Sequence, residues 1–250
     1  MIEESSVNLN DIEFIGIASP GTISENKIKQ ATNLGLEDFD LIGELQKYIN
    51  LPMQMKNDSK CAALAEKYYG AMRDYDDGIF LSLGTGIGGA AFLNGEMLVP
   101  KRFSGFEFGH MIINKDGRKC SCGKKGCFET YSSIRALKNK VAEVLEIDSN
   151  FSGEYMREKL LDFENPKILE VVEEYVTDLS IGICNLIDIF EPEIVVLGGS
   201  FSYYVDTPIY ERLLEKIKEK DSRFNSISMP EITVAKLKND AGIIGATIRI

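Results

Sequence analysis

Glu107-Phe108-Gly109-His110, followed further on by Cys120-Ser121-Cys122-Gly123-Lys124-Lys125-Gly126-Cys127-Phe128-Glu129, is the most constrained part of this chain. His110 is the only histidine among 250 residues, and three of the five cysteines fall in this one stretch. One imidazole and three thiolates make a four-ligand set suited to a tetrahedral Zn²⁺ with no open position, which favours a structural over a catalytic ion. Gly117, Gly123 and Gly126 let the backbone wrap closely around such an ion. The Cys122–Cys127 gap is longer than the usual knuckle. The alternative, three unrelated thiols in a loop, leaves the glycines and the single imidazole unexplained. Glu107 and Glu129 bracket the cluster. A fixed loop would hold both carboxylates where they can accept hydrogen bonds from vicinal hydroxyls of a sugar; otherwise each is a solvated surface charge.

Around this stretch the patterns alternate between strand and helix. Phe14–Ala18 reads as a strand closed by the turn formers Ser19-Pro20-Gly21. Apolar residues at mixed three- and four-residue spacing predict a helix around 37–50. Met53–Lys56 reads as a short strand, and Asn57-Asp58-Ser59 caps a helix from Lys60 to Tyr69. Ile79–Leu83 is a strong strand, and Asn94-Gly95 between apolar runs signals a hairpin. Residues 101–128 read as loop and about 130–190 as mostly helix. Ile194–Leu197 reads as a buried strand, 208–219 as a helix, Ile232–Ala235 as a strand and Ala241–Ile250 as a helix or strand. This alternation is that of an α/β architecture.

Composition removes some classes of function. Lys and Arg number 28 against 39 Asp and Glu, a net charge of −11, which argues against a nucleic-acid surface. No run approaches the length of a membrane span. The acidic start lacks the pattern of a signal peptide, so a cytoplasmic location is expected, where crowded cysteines point to metal before disulfide.

Two further motifs carry chemistry. Gly84-Thr85-Gly86-Ile87-Gly88-Gly89 follows a strand and formally fits the dinucleotide fingerprint, but a hairpin follows where that fingerprint needs a helix. Backbone N–H groups and the Thr85 hydroxyl of such a turn can still face phosphate oxygens; the plainer reading is a hairpin that needs flexible glycine. Asp58 opens a helix. It is an N-cap, a general base, or both, and with the only His assigned to metal a carboxylate is the natural base for a hydroxyl. Asn57 stands beside it to hold a sugar hydroxyl.

The spacing Gly109-His110, six residues, Gly117, two residues, Cys120-x-Cys122-Gly123-x-x-Gly126-Cys127-x-Glu129 resembles the signature of the ROK (repressor, open reading frame, kinase) family of sugar kinases and sugar-responsive repressors. The order Ser19-Pro20-Gly21, Asn57-Asp58, Gly84–Gly89, Glu107-x-Gly109-His110 and Leu197-Gly198-Gly199 resembles it too, from about residue 11 to the end. The resemblance implies an actin-like ATPase, ribonuclease-H-like fold of two lobes with sugar and ATP between them. It implies that Asp58 deprotonates the sugar hydroxyl and that Gly21, Asn57, Glu107, His110 and Glu129 bind the sugar. It further implies that Gly84, Thr85, Gly86, Gly198 and Gly199 meet ATP with its Mg²⁺, and that His110, Cys120, Cys122 and Cys127 hold a structural zinc. The expected organisation is a partial small lobe over 1–74, a large lobe with the zinc loop over 75–240, and a segment 241–250 returning to the small lobe. A homodimer fits the family but is not specified by the sequence.

Two departures qualify the resemblance. Family kinases begin with a strand ending in an Asp-x-Gly-Gly-Thr loop that cradles phosphate. Here the chain starts within the helix preceding Phe14, so the N-terminal lobe is expected to be incomplete and turnover poor. Phe106 also stands where the family carries a small residue. The expected function is ATP-dependent phosphorylation of a hexose or N-acetylhexosamine, glucokinase-like. A non-catalytic sugar-binding regulator and a zinc-ribbon interaction protein are the other classes.

Overall fold

A computed structural model describes residues 8–31, 34–101, 105–162, 164–220 and 229–249. The helix expected before Phe14 lies partly outside these residues; among those described, Leu9–Asp11 form a single 3-10 turn. In chain order, β1 (Ile15–Ser19) is followed by β2 (Thr22–Ser24), β3 (Lys27–Ala31) and β4 (Leu36–Phe39). Strands β2, β3 and β4 form an antiparallel three-stranded sheet. Its first hairpin turns on Glu25 and Asn26, with φ of 51° and 59°. Two left-handed central residues are the mark of a turn whose twist matches that of the flanking strands.

The predicted helix over 37–50 is corrected here. Phe39 pairs with Ile28 and Leu36 with Ala31 across β3–β4, and only then does α1 (Leu41–Gln46) begin. Strand pairing uses the first apolar residues of the pattern. Asp40 then starts the helix, its side chain accepting from Gly43 N–H at 2.9 Å.

Strand β5 (Met53–Asn57) runs parallel to β1, with Ser19 opposite Asn57. Next come α2 (Asp58–Tyr69), β6 (Gly78–Leu83), β7 (Ile87–Leu93) and β8 (Glu96–Met97), then the helices α3 (Glu129–Ser132), α4 (Ile134–Leu145), α5 (Gly153–Leu160) and α6 (Pro166–Phe190). The chain closes with β9 (Ile194–Gly199), α7 (Pro208–Lys220), β10 (Glu231–Val234) and α8 (Ala241–Ala246). The main sheet has the order β10-β9-β6-β7-β8, with β6, β9 and β10 parallel. The hairpin at Asn94-Gly95 forms as the sequence predicts, and the open choice at 241–250 resolves to a helix over Ala241–Ala246.

Alternation along these strands builds two cores on one sheet. Ile79, Leu81, Leu83, Val195 and Leu197 face α6, whose Val172, Val176, Leu179 and Ile183 are fully buried. Phe80, Ile194 and Val196 face the other way, toward Ala63 and Leu64 of α2. Period-two burial on the strands and helical spacing on α6 and α2 therefore make three layers. Each fully buried aliphatic side chain contributes about 1.5–3 kcal/mol. A smaller cluster of Ile28, Ala31, Ile42 and Met55 holds the first sheets to α1. Helix α8 closes on α2 so tightly that a Cβ on Gly245 would lie 1.7 Å from the Cys61 carbonyl oxygen. No helix among the described residues is long and apolar enough to cross a membrane.

Candidate active site

The parallel strands end on the same side of their sheets, and the candidate residues sit at those ends. In open α/β sheets, this is where ligands bind. Ser19 and Asn57 close β1 and β5 as register partners. Asn57 Nδ2 donates to the Gly21 carbonyl at 3.0 Å, so the turn after β1 and the start of α2 are one unit. Gly21 has φ of 92°, a conformation that a side chain would strain.

The cap of α2 is Asn57, which corrects the reading of Asp58 as the capping residue. Asn57 Oδ1 accepts from Ser59 N–H at 3.0 Å and from Lys60 N–H at 3.3 Å. Asp58 is the first residue of the helix, and its Oδ1 accepts from Ser59 N–H at 2.8 Å. Its side chain opens to solvent, yet the protein around it pushes the carboxyl pKa above the usual range by desolvation, against the pull of the hydrogen bonds from Ser59. An accessible carboxylate crowded by protein atoms is what a base at a cleft mouth needs.

The glycine-rich segment forms the tight turn between β6 and β7, closed by Gly84 N–H to Gly86 C=O at 3.0 Å, with Thr85 exposed at its tip. It is a hairpin, as its sequence context implies. Two of its glycines make room for residues far away in sequence. A Cβ on Gly88 would lie 2.2 Å from Ser59 Oγ, and one on Gly86 would lie 2.6 Å from Glu129 Oε2. The hairpin therefore touches both the Asp58 helix and the carboxylate beside the cysteine loop. On its other flank Leu83 pairs with Gly199, which has φ of 66°, so Gly198 and Gly199 lie beside the start of the turn.

The ligand atoms of His110, Cys120, Cys122 and Cys127 all lie within 4.8 Å of one another. Cys122 Sγ is 3.6 Å from Cys127 Sγ, and Cys120 Sγ is 3.6 Å from His110 Nδ1. Thiolates about 2.3 Å from a tetrahedral ion are about 3.8 Å apart, so the donor set fits one metal ion. The Cys122–Cys127 gap is bridged by a small β-turn structure: Lys119 pairs with Lys125, and Ile112 with Cys127. Burial pushes the Cys120 thiol up to about 12, so at neutral pH it keeps its proton unless a cation takes that place. Glu129 Oε1 lies 3.2 Å from Cys120 Sγ and 3.7 Å from His110 Nδ1. The loop thus fixes His110 and Glu129 together.

Glu107 is exposed and precedes the 3-10 turn Phe108–His110, whose His110 N–H bonds the Glu107 carbonyl at 3.0 Å. The structure brings Gly21, Asn57 and Asp58 into one group, and Gly86, His110, Glu129 and the three cysteines into another. The hairpin touches both. Among the described residues, Glu107 is linked to the second group through its backbone. The residue before it, Phe106, has φ of 58° and a ring packed against the main core.

Two supporting side chains went unread in the sequence. Glu66 is fully buried, and its Oε2 and Oε1 accept from Ala71 N–H and Leu237 N–H, both at 2.7 Å. Lys56 Nζ donates to the Ile248 carbonyl at 2.7 Å. Each depends on a chain segment far away in sequence, so no local pattern announces it.

A sequence model of the ROK family matches residues 1–249. The chain belongs to the ROK family. Among ROK proteins it is 32% identical to a glucokinase of Halalkalibacterium halodurans, covering 94% of this chain and 75% of that one. It is equally, 32%, identical to a putative xylose repressor of a Caldicellulosiruptor species, covering 94% of this chain and 62% of the repressor. The structure matches a ROK family glucokinase from Streptomyces griseus crystallised with glucose and AMPPNP, at a TM-score of 0.80 and 26% identity, covering 94% of this chain and 80% of that one. The fold is the actin-like ATPase fold of the ROK sugar kinases. ROK relatives thus include kinases and repressors.

Proposed function

We propose that the protein transfers the γ-phosphoryl group of ATP to a hydroxyl of a hexose or N-acetylhexosamine, in the manner of a glucokinase. The observation that carries this reading is Asp58: an accessible carboxylate with raised proton affinity, held at the start of α2 next to Ser59, which adjoins the glycine-rich hairpin. A repressor needs to bind a sugar but has no use for a base. In this reading Asp58 accepts the proton of the sugar hydroxyl as its oxygen attacks the γ-phosphorus, and the bond to the bridging oxygen breaks to release ADP. Positioning and charge neutralisation do most of the work in phosphoryl transfer. Gly21, Asn57, Glu107, His110 and Glu129 hold the sugar; Gly84, Thr85, Gly86, Gly198 and Gly199 face the nucleotide.

Zinc is the ion we assign to His110, Cys120, Cys122 and Cys127, because soft thiolates with one imidazole in a tetrahedral set select it. When bound it supplies rigidity, holding His110 and Glu129 toward the sugar. Mg²⁺ arriving with ATP supplies charge neutralisation.

The test uses the full chain with glucose, mannose, fructose and N-acetylmannosamine. Calorimetry should detect binding of one of them, and ADP release should depend on that sugar. Asp58→Asn should lower turnover by roughly 10²-fold or more while leaving sugar affinity within a few-fold. Sugar binding without turnover would favour the second reading, a sugar-binding regulator, which the likeness to the xylose repressor supports. Binding of no sugar would contradict both.

A further inference from the structure

The cysteine loop is tied to α3 by more than its candidate ligands. The Arg118 backbone N–H donates to the Tyr131 phenol oxygen at 2.7 Å, and the Arg118 side chain donates through Nη1 to the Thr130 carbonyl at 2.9 Å. The guanidinium carbon lies 4.5 Å from the centre of the Tyr131 ring, within cation–π reach. Gly117 leaves room for this, because a Cβ there would collide with the phenol oxygen. The Arg118 carbonyl in turn accepts from Gly126 N–H at 2.8 Å, one residue before Cys127. Cys120 follows Arg118 by two residues. One residue of the loop therefore joins the Tyr131 hydroxyl on α3 to the backbone beside two of the thiols. Lys124 ties the loop separately, its Nζ donating to the His110 carbonyl at 3.0 Å.

We propose that Tyr131 is a positioning residue for the metal ion, its hydroxyl presetting Cys120 and Cys127 through the Arg118 backbone. This rests on the reading of His110, Cys120, Cys122 and Cys127 as one metal site. A donor set held near its final geometry loses less freedom when the ion arrives, so the ion binds more tightly. Groups behind the ligands commonly act this way in metal sites. Helix α3 meets the loop twice, Glu129 at Cys120 and Tyr131 at Arg118. Removing the hydroxyl frees the second of these ties and leaves all four ligand side chains unaltered. The role belongs to the hydroxyl rather than to the guanidinium. The hydroxyl bonds the backbone of the loop itself, whereas the exposed Arg118 side chain reaches α3 from the solvent side.

The experiment measures the zinc dissociation constant of the full chain by competition with a chelator of known affinity, beside thermal melts of the zinc-loaded and metal-stripped protein. Tyr131→Phe keeps the ring and loses the acceptor; its dissociation constant should rise roughly fivefold, the worth of one hydrogen bond. Arg118→Lys keeps the backbone N–H and a cation beside the ring, and should stay within about twofold of the parent. An unchanged constant in Tyr131→Phe would overturn the proposal, as would an equal rise in both variants. Unchanged affinity with a melting temperature lowered equally with and without zinc would make Tyr131 a packing residue and overturn it too. If the parent binds zinc one-to-one, these outcomes judge Tyr131 alone. A parent that takes up no zinc would reject the metal reading and this proposal with it.

Discussion

Asp58 is kept at a cost in stability. Desolvation raises its folded pKa above the ordinary 3.8, so the folded state holds the proton more tightly than the unfolded chain does. Stability from this group is full below the unfolded pKa and is lost as pH rises through the folded value. Asp58→Asn should therefore melt at a higher temperature than the parent at pH 7, with the advantage fading as pH falls toward 4. Thermal melts at the two pH values check this, and an equal or lower melting temperature at pH 7 would contradict it. Glu66 is a fully buried side chain with both oxygens satisfied by backbone N–H groups. Glu66→Ala leaves one buried and one part-buried donor unpaired and should cost about 2–5 kcal/mol in chemical denaturation. Sequence reading found Asp58 because it follows a strand and opens a helix. It missed Glu66, whose partners Ala71 and Leu237 come together only in the fold.

At the scale of elements, the residues after Met111 form a loop that gathers Cys120, Cys122 and Cys127 beside His110. Cys122→Ser should lose a one-to-one zinc content and with it folded-state stability, and metal analysis beside thermal melts reads both. Metal-free protein with unchanged melting would refute the site. Helix α6 offers a separate check on how these ends are built. It stops at exposed Glu191, held in the left-handed region at φ 45° and ψ 53°. Glu191→Gly should stabilise the fold by roughly 0.5–1 kcal/mol, since glycine adopts that conformation without strain. The strands of the main sheet were legible because Ile194–Leu197 is an uninterrupted apolar run, and Ile79–Leu83 one broken only by Ser82, each bounded by turn residues. Strand β4 was not, because Phe39 and Leu41 fit a helical spacing as well as a strand followed by a cap, and only pairing with β3 decides between them.

For the whole molecule, the arrangement of layers places four widely separated segments around one hairpin. The cysteine loop was readable because its residue types and spacing are chemically restrictive. The meeting of Gly86 with Glu129 and of Gly88 with Ser59 was not, because glycine carries no side chain to advertise what it accommodates. That convergence supports the kinase reading, because the start of α2 and the Glu129 carboxylate beside the cysteine loop both adjoin the glycine-rich turn. Phosphorus NMR of the full chain with MgATP and its preferred sugar tests this most directly. A sugar phosphate resonance should grow with the parent, slowly given the poor turnover expected from the sequence, and fail to grow with Asp58→Asn; equal growth in both, or ADP and inorganic phosphate with no sugar phosphate, would contradict the account.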